Sequence, residues 1–178
     1  PEVVLEQLYK LTPMEDGFAI NAVALVKGRP QTLGLKELLQ VFIEHRIEVV
    51  RRRSEFRKAK AEDRLSLVDG LLKAIIDIDK VIKIIRGSDD ASAAKEALIK
   101  GFKLNEEQAT YILDMPLRRL TKMSKLELET ESKELKATIA ALTTLLKSEE
   151  AMRKQVSDEL TAVAKAYAVP RRTRLASA

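Results

Sequence analysis

The run "SKLELETESKELKATIAALTTLLKSEEAMRKQVSDELTAVAKAY", Ser124 to Tyr167, decides how this chain folds. Leu135, Ile139, Leu142, Leu146, Glu149, Arg153, Val156, Leu160, Val163 and Tyr167 recur in alternating steps of four and three. All but Glu149 and Arg153 are apolar, so the stretch reads as one long helix with a heptad seam kept up for about five heptads. Ser124 followed by Glu127 is a capping box that can start the helix, and Pro170 ends it. The returning helix is therefore expected over 124–169.

Its partner lies upstream. Leu35, Leu38, Leu39, Phe42, Ile43, Val49, Val50 and Phe56 share a helical face, followed by Leu65, Leu67, Val68, Leu71 and Leu72. The polar stretch "RRRSEFRKAKAEDR" between them contains no helix breaker. An outgoing helix is expected over 35–69, with Gly70 ending or weakening it. Two long helices joined by a smaller insert pair most simply antiparallel. Setting Leu35 opposite Tyr167 brings Arg53 against Glu149, so the polar break in one seam meets that in the other. An ion pair across the two helices is expected among Arg53, Glu149 and Arg153.

The insert, 70–123, reads as several short helices forming a knob at the tip. Asp77 or Asp79 can cap "KVIKIIRG", which Gly87 closes. Ser88, Asp89 and Asp90 can cap "ASAAKEALIKG", with Gly101 at its C-terminal end, and Asn105 with Gln108 forms a capping box for "EEQATYILDM". The first 34 residues are different in kind. "GFAINAVALVKGRPQTLGL", rich in small and β-branched residues and punctuated by Lys27-Gly28-Arg29-Pro30, reads as a β-hairpin. Residues 170–178, with "PRRTR", read as a basic linker.

Composition supports long helices over an ordinary compact globule. Charged residues make up 33%, aromatics 4%, and Trp and Cys are absent. The lack of cysteine excludes disulfides and thiolate metal sites and fits a reducing cytoplasm. No apolar run approaches the roughly 18 residues needed to cross a bilayer, and no signal peptide opens the chain. A start at Pro1 in place of methionine, and a hairpin with no further strands, read as a piece cut from a longer protein. The net charge of +5 permits nucleic-acid contact but also suits a salt-laced helical surface.

Candidate chemistry is thin. Tyr111 as a nucleophile needs a base or cation beside it, and Gln108, Asp114 and Met115, its helical neighbours, are poor activators. A packed helix face with a polar tip is the better reading. Asp77-Ile78-Asp79 resembles a metal-binding pair, but on a helix the two carboxylates diverge by about 200°, and capping explains them. His45 is the only histidine, and it has no cysteine beside it to complete a metal site. Lys27-Gly28-Arg29 lacks the rest of a phosphate loop. Arg51, Arg52, Arg57 and Lys58 are candidate DNA contacts, set against Glu48, Glu55, Glu62 and Asp63 as salt-bridge partners. No catalytic or metal site emerges.

The arrangement resembles one family. "GFAINAVALVKGRPQTLGLKELLQVFIEHRIEVVRRRSEFRKAKAEDRLSLVDGLLKAI" is similar to the segment of bacterial type IIA DNA topoisomerase A subunits that leaves the tower domain and enters a coiled-coil arm. "EEQATYILDMPLRRLTKMSKLELETESKELK" resembles the exit gate of these subunits and the helix returning from it. "RRTRL" resembles the junction before a C-terminal DNA-wrapping domain. The gyrase and topoisomerase IV counterparts are not separated by these residues.

The resemblance implies a mainly α fold: a long antiparallel coiled-coil arm, a helical knob at its tip, and a short β-hairpin from a truncated tower domain at its base. It implies a homodimer through the knob, with Gln108, Tyr111, Ile112, Met115, Leu117 and Leu120 in the contact. In such enzymes one duplex passes through a transient double-strand break in another and leaves through this gate. The implied partners are DNA and an ATPase-bearing B subunit. ATP and Mg2+ act through the latter and no cofactor binds here, with the complex cytoplasmic at the nucleoid. The family cleaves DNA with a tyrosine that follows an arginine, whereas Tyr9, Tyr111 and Tyr167 follow Leu8, Thr110 and Ala166. This stretch is then expected to be the arm and gate of an enzyme, without enzymatic activity by itself. A stand-alone basic helical nucleic-acid-binding protein and a coiled-coil adaptor remain as alternatives.

Overall fold

A computed structural model describes residues 1–116 and 125–173. The chain divides into two compact units, Pro1–His45 and Arg46–Ala178. In the first, helix α1 (Glu2–Leu11) precedes an antiparallel hairpin of β1 (Val23–Val26) and β2 (Arg29–Thr32), which pairs Val23 with Thr32 and Val26 with Arg29. Lys27 and Gly28 form the two-residue turn, both with positive φ (50° and 78°), which the right-handed strand twist demands of so short a loop. Helix α1 departs from the expectation of a hairpin alone. Its β-branched Val3 and Val4 and its short length conceal the helical period.

Helix α2 (Leu35–Ile76) begins in this unit and runs on through the second. Glu37 accepts a hydrogen bond from the Gly34 N–H (2.8 Å), which places a carboxylate at the positive end of the helix. The helix does not stop at 69 as the sequence implied. It continues through Gly70, a position with a packing role described below.

Among the described residues, the second unit holds the rest of α2, three short helices, α3 (Ile78–Gly87), α4 (Ala91–Phe102) and α5 (Glu106–Asp114), and two returning helices, α6 (Lys125–Lys147) and α7 (Glu149–Tyr167). Each short helix is capped by a residue the sequence offered. Asp77 accepts from the Lys80 N–H (3.2 Å) and Asp90 from the Ala93 N–H (2.7 Å), and the Asn105–Gln108 capping box is complete on both sides. The end of α4 differs from expectation. Lys103, not Gly101, takes the left-handed position (φ 51°), and its carbonyl accepts from Lys73 Nζ (3.1 Å) on α2. The capping box expected from Ser124 lies outside the described residues.

Two apolar clusters hold this unit together. One gathers Val68, Leu71 and Ala74 of α2 with Val81, Leu98, Leu104, Ala109, Ile112, Met115 and Leu128. The other joins Ile47 and Val50 of α2 to Met152 and Val156 of α7. Ile47 and Val50 of α2 thus meet the first half of α7 while Val68 and Leu71 share a cluster with Leu128 at the start of α6, so outgoing and returning helices run antiparallel.

The return is not one helix. It breaks at Ser148, whose hydroxyl caps α7 by accepting from the Ala151 N–H (3.1 Å). Before the break the seam follows the expected positions, with Leu135, Ile139, Leu142 and Leu146 partly buried. After it the inward positions are Ser148, Met152, Gln155 and Glu159, each one residue before the expected place, and Val156 stays buried among them.

Gly70 is where α5 comes closest to α2. A Cβ there would lie 2.9 Å from both Cβ and Cγ of Gln108. Alanine favours a helix over glycine by about 1 kcal/mol, whereas overpacking a close contact costs about 1–3 kcal/mol. Gly70→Ala is expected to lower the unfolding free energy in urea titration. Gly87→Ala, whose Cβ would meet nothing within 4 Å, is expected to leave it unchanged or raise it. A Gly70→Ala protein more stable than wild type would overturn the close approach.

Candidate functional site

Gln108, Tyr111, Ile112 and Met115 meet at the junction between α5 and the long helices. Gln108 is the centre of it. Its Oε1 accepts from the Asn105 N–H (3.0 Å) to complete the cap, while its Nε2 donates to the Ser66 carbonyl on α2 (2.6 Å). One amide therefore caps a helix and fastens it to another. With 8% of its surface exposed, Gln108 is committed inside its own chain.

The same holds for two more of the expected contact residues. Ile112 (1% exposed) and Met115 (8%) sit in the core cluster with Leu71 and Leu98. Gln108, Ile112 and Met115, expected to face a partner, are instead buried within their own chain. Late α2 and early α6 provide the apolar surface that the short helices lack among themselves. Tyr111 packs partly buried at the margin of this cluster. Leu117 and Leu120 lie outside the described residues.

Tyr111 does have a cationic neighbour, and it comes from a different helix. Arg64 of α2 grips Glu131 of α6 with two hydrogen bonds (2.6 and 3.0 Å) and donates a third, longer one to the Tyr111 hydroxyl (3.4 Å). The Glu131 carboxylate holds the Arg64 guanidinium above its ordinary value, so Arg64 stays a permanent cation. The fork–carboxylate geometry ties α2, α5 and α6 at one point. Sequence neighbours alone could not reveal this, because Arg64 is remote from Tyr111 along the chain.

A second polar cluster stands nearer the start of α2. Arg46 and Arg53 both donate to Glu159 of α7, Arg46 at 3.0 Å, and Gln155 adds a bond at 3.0 Å. Arg53 thus does reach the returning helices, but its partner is Glu159 and not Glu149. Glu149 and Arg153 instead pair with each other within α7 (2.9 Å), on its exposed side. The break at Ser148 is the physical reason. It moves the seam by one residue and turns both side chains outward, where Glu149 also faces the positive start of α7. Two guanidiniums share one carboxylate, and the Nε atoms of Arg46 and Arg53 are buried without a partner.

Of the candidate DNA contacts, Arg52 pairs with Glu48 (2.7 Å) and Lys58 with Glu62 (3.6 Å), each one turn away on α2. Arg51 is half-buried and Arg57 exposed. Asp77 is spent as a helix cap. Among the described residues no group of three or more metal-ligating side chains comes together, and no helix is long and apolar enough to cross a membrane.

The second unit is an antiparallel helical pair with a small cluster of helices fastened to it by the buried Gln108 amide and the part-buried Arg64–Glu131 pair. Residues 1–161 match the family described as the A subunit of DNA gyrase/topoisomerase IV, and the chain belongs to that family. It is 44% identical over 173 residues to the DNA gyrase A subunit of Staphylococcus aureus strain N315, covering 97% of this chain and 20% of that protein. It is 41% identical over 174 residues to the DNA gyrase A subunit of Brachyspira hyodysenteriae, covering 98% of this chain and 21% of that protein. The chain therefore spans about a fifth of the length of the curated relatives it matches.

The Glu159 carboxylate is held below its ordinary value, first by the Arg53 hydrogen bond and then by Gln155. A folded-state value depressed in this way adds stability above the unfolded glutamate value of about 4.3. That stability is lost as pH falls through the lower, folded value. On acidification below about pH 4.3, the unfolding free energy of wild type is expected to fall more steeply than that of Glu159→Gln. Parallel pH profiles in urea titrations would show that the cluster contributes nothing.

Proposed function

We propose that this chain is the arm and exit gate of a type IIA DNA topoisomerase, carried on its A subunit, and that it pairs with a second copy of itself through the helical cluster beyond Leu71. The observation that carries this reading is the family match along residues 1–161, together with the antiparallel helical pair and its appended head. In the assembled enzyme the pair would close behind a DNA duplex that has passed through a double-strand break, then open to release it. ATP and Mg2+ would act through an ATPase-bearing partner subunit, in the cytoplasm. The work of this segment is mechanical: to hold two subunits together at one point and let go.

Burial of Gln108, Ile112 and Met115 changes which residues can serve the contact. Near the head, Ile76 at the end of α2 and Leu126 at the start of α6 are each 72% exposed. Large apolar side chains so exposed and so placed fit a self-complementary patch about a two-fold axis. Leu117 and Leu120 adjoin this region in sequence, and Tyr111 contributes its outer edge.

Sedimentation of the chain over a range of concentrations tests the proposal. Wild type is expected to dimerise reversibly, with Leu126→Glu and Ile76→Glu shifting it to monomer while helix content by circular dichroism is kept. Ile112→Glu is expected to unfold the head instead, because it would bury an unpaired carboxylate. A wild type that stays monomeric at the highest attainable concentration would overturn the gate reading.

A further inference from the structure

We infer that one flank of α2, presenting Arg46, Arg53, Arg57 and Lys60, is a contact surface for the phosphate backbone of duplex DNA. The inference rests on the reading above only in taking duplex DNA as the polyanion. The flank itself is defined by the structure. Ile47, Val50, Ser54 and Ala61 mark the buried seam of α2. At about 100° per residue, Arg46, Arg53, Arg57 and Lys60 fall to one side of that seam, and Arg51, Glu55, Lys58 and Glu62 to the other. The joint grip of Arg46 and Arg53 on Glu159 puts these two on a common side.

The two flanks differ in charge balance. On the second, Lys58 is matched by Glu62, and Glu55 follows Arg51 by one turn. On the first, four cations meet Glu159, which Arg46 and Arg53 already divide between them, and Asp63, which lies three residues beyond Lys60 without pairing to it among the described residues. Arg57 and Lys60 are exposed and form no ion pair among the described residues. Arg64, next along this flank, is closed off by Glu131 and ends the surplus. From Arg46 to Lys60 the row extends about 21 Å at 1.5 Å per residue. A rigid line of surplus positive charge matches the line of phosphates along a duplex, and guanidinium forks suit phosphate oxygens. Of the residues the sequence offered as DNA contacts, only Arg57 stays. Arg46, Arg53 and Lys60 join it.

Fluorescence anisotropy with a short labelled duplex tests this. The chain carries either Arg57→Gln with Lys60→Gln or, as a charge-matched control, Arg51→Gln with Lys58→Gln. At about 50 mM salt the flank variant is expected to bind about tenfold more weakly than wild type. Its slope of log K against log salt should be shallower by about 1.8, or about 0.9 for each phosphate no longer neutralised. The control is expected to weaken binding less than about twofold, having surrendered the same charge from a face where Lys58 is paired with Glu62 and Glu55 lies one turn from Arg51. Equal weakening in both variants, or a wild type that binds no duplex, would overturn the inference. Sedimentation of the same samples reads the dimer separately, so an intact dimer without flank-dependent DNA binding would sink this inference alone.

Discussion

At Gly70 the side chain of Gln108 lies against bare helix backbone, where a Cβ would not fit, and the second unit is organised around that contact. The Gln108 amide is divided between two duties. The oxygen completes the cap of α5, and the nitrogen holds a carbonyl of α2. With α5 fixed at its first turn, helical geometry carries Ile112 and Met115 to the same face and into the core. The short helices bury too little among themselves to be stable alone. They become a head because α2 supplies Val68, Leu71 and Ala74 as a floor.

Much of this is legible in the sequence. Caps at Asp77, Asp90 and Asn105 can be read because capping is local chemistry, settled within a single turn. The antiparallel pairing follows from two long apolar faces and a short insert. What escapes is decided by contacts between distant residues. Gly70 looks like a helix end until Gln108 is known to lie against it. Ile112 and Met115 look surplus to a small knob until the floor beneath them is counted. Heptad counting misplaces the partner of Arg53 because it runs through Ser148, where hydroxyl capping competes with helix continuation. Helix α1 escapes because its apolar residues form no long repeat.

The basic residues along one flank of α2 divide by role according to which carboxylate lies within reach. Arg64 is drawn inward, where its fork is filled by Glu131 and its remaining donor touches Tyr111. Tyr111, conspicuous in the sequence as a candidate nucleophile, is held as a hydrogen-bond acceptor at the rim of a packed core. Arg46 and Arg53 are half-sheltered and share a carboxylate between them, a less saturated arrangement than that of Arg64. An almost continuous basic run in the sequence is thus three things in the structure: a lock, a clasp and a row left over.

The break at Ser148 also bears on how the two long helices keep their alignment. A perfect heptad seam specifies position only modulo seven, since sliding by one repeat restores the same match of apolar faces. Here the seam before Ser148 and the seam after it are out of phase by one residue. What fixes the register are the polar pairs on either side of the break: a slide of one heptad, about 10.5 Å, would carry Glu159 away from Arg46 and Arg53 and Glu131 away from Arg64. Two unlike polar contacts, one on each side of Ser148, thereby give a repetitive pair of helices a single alignment.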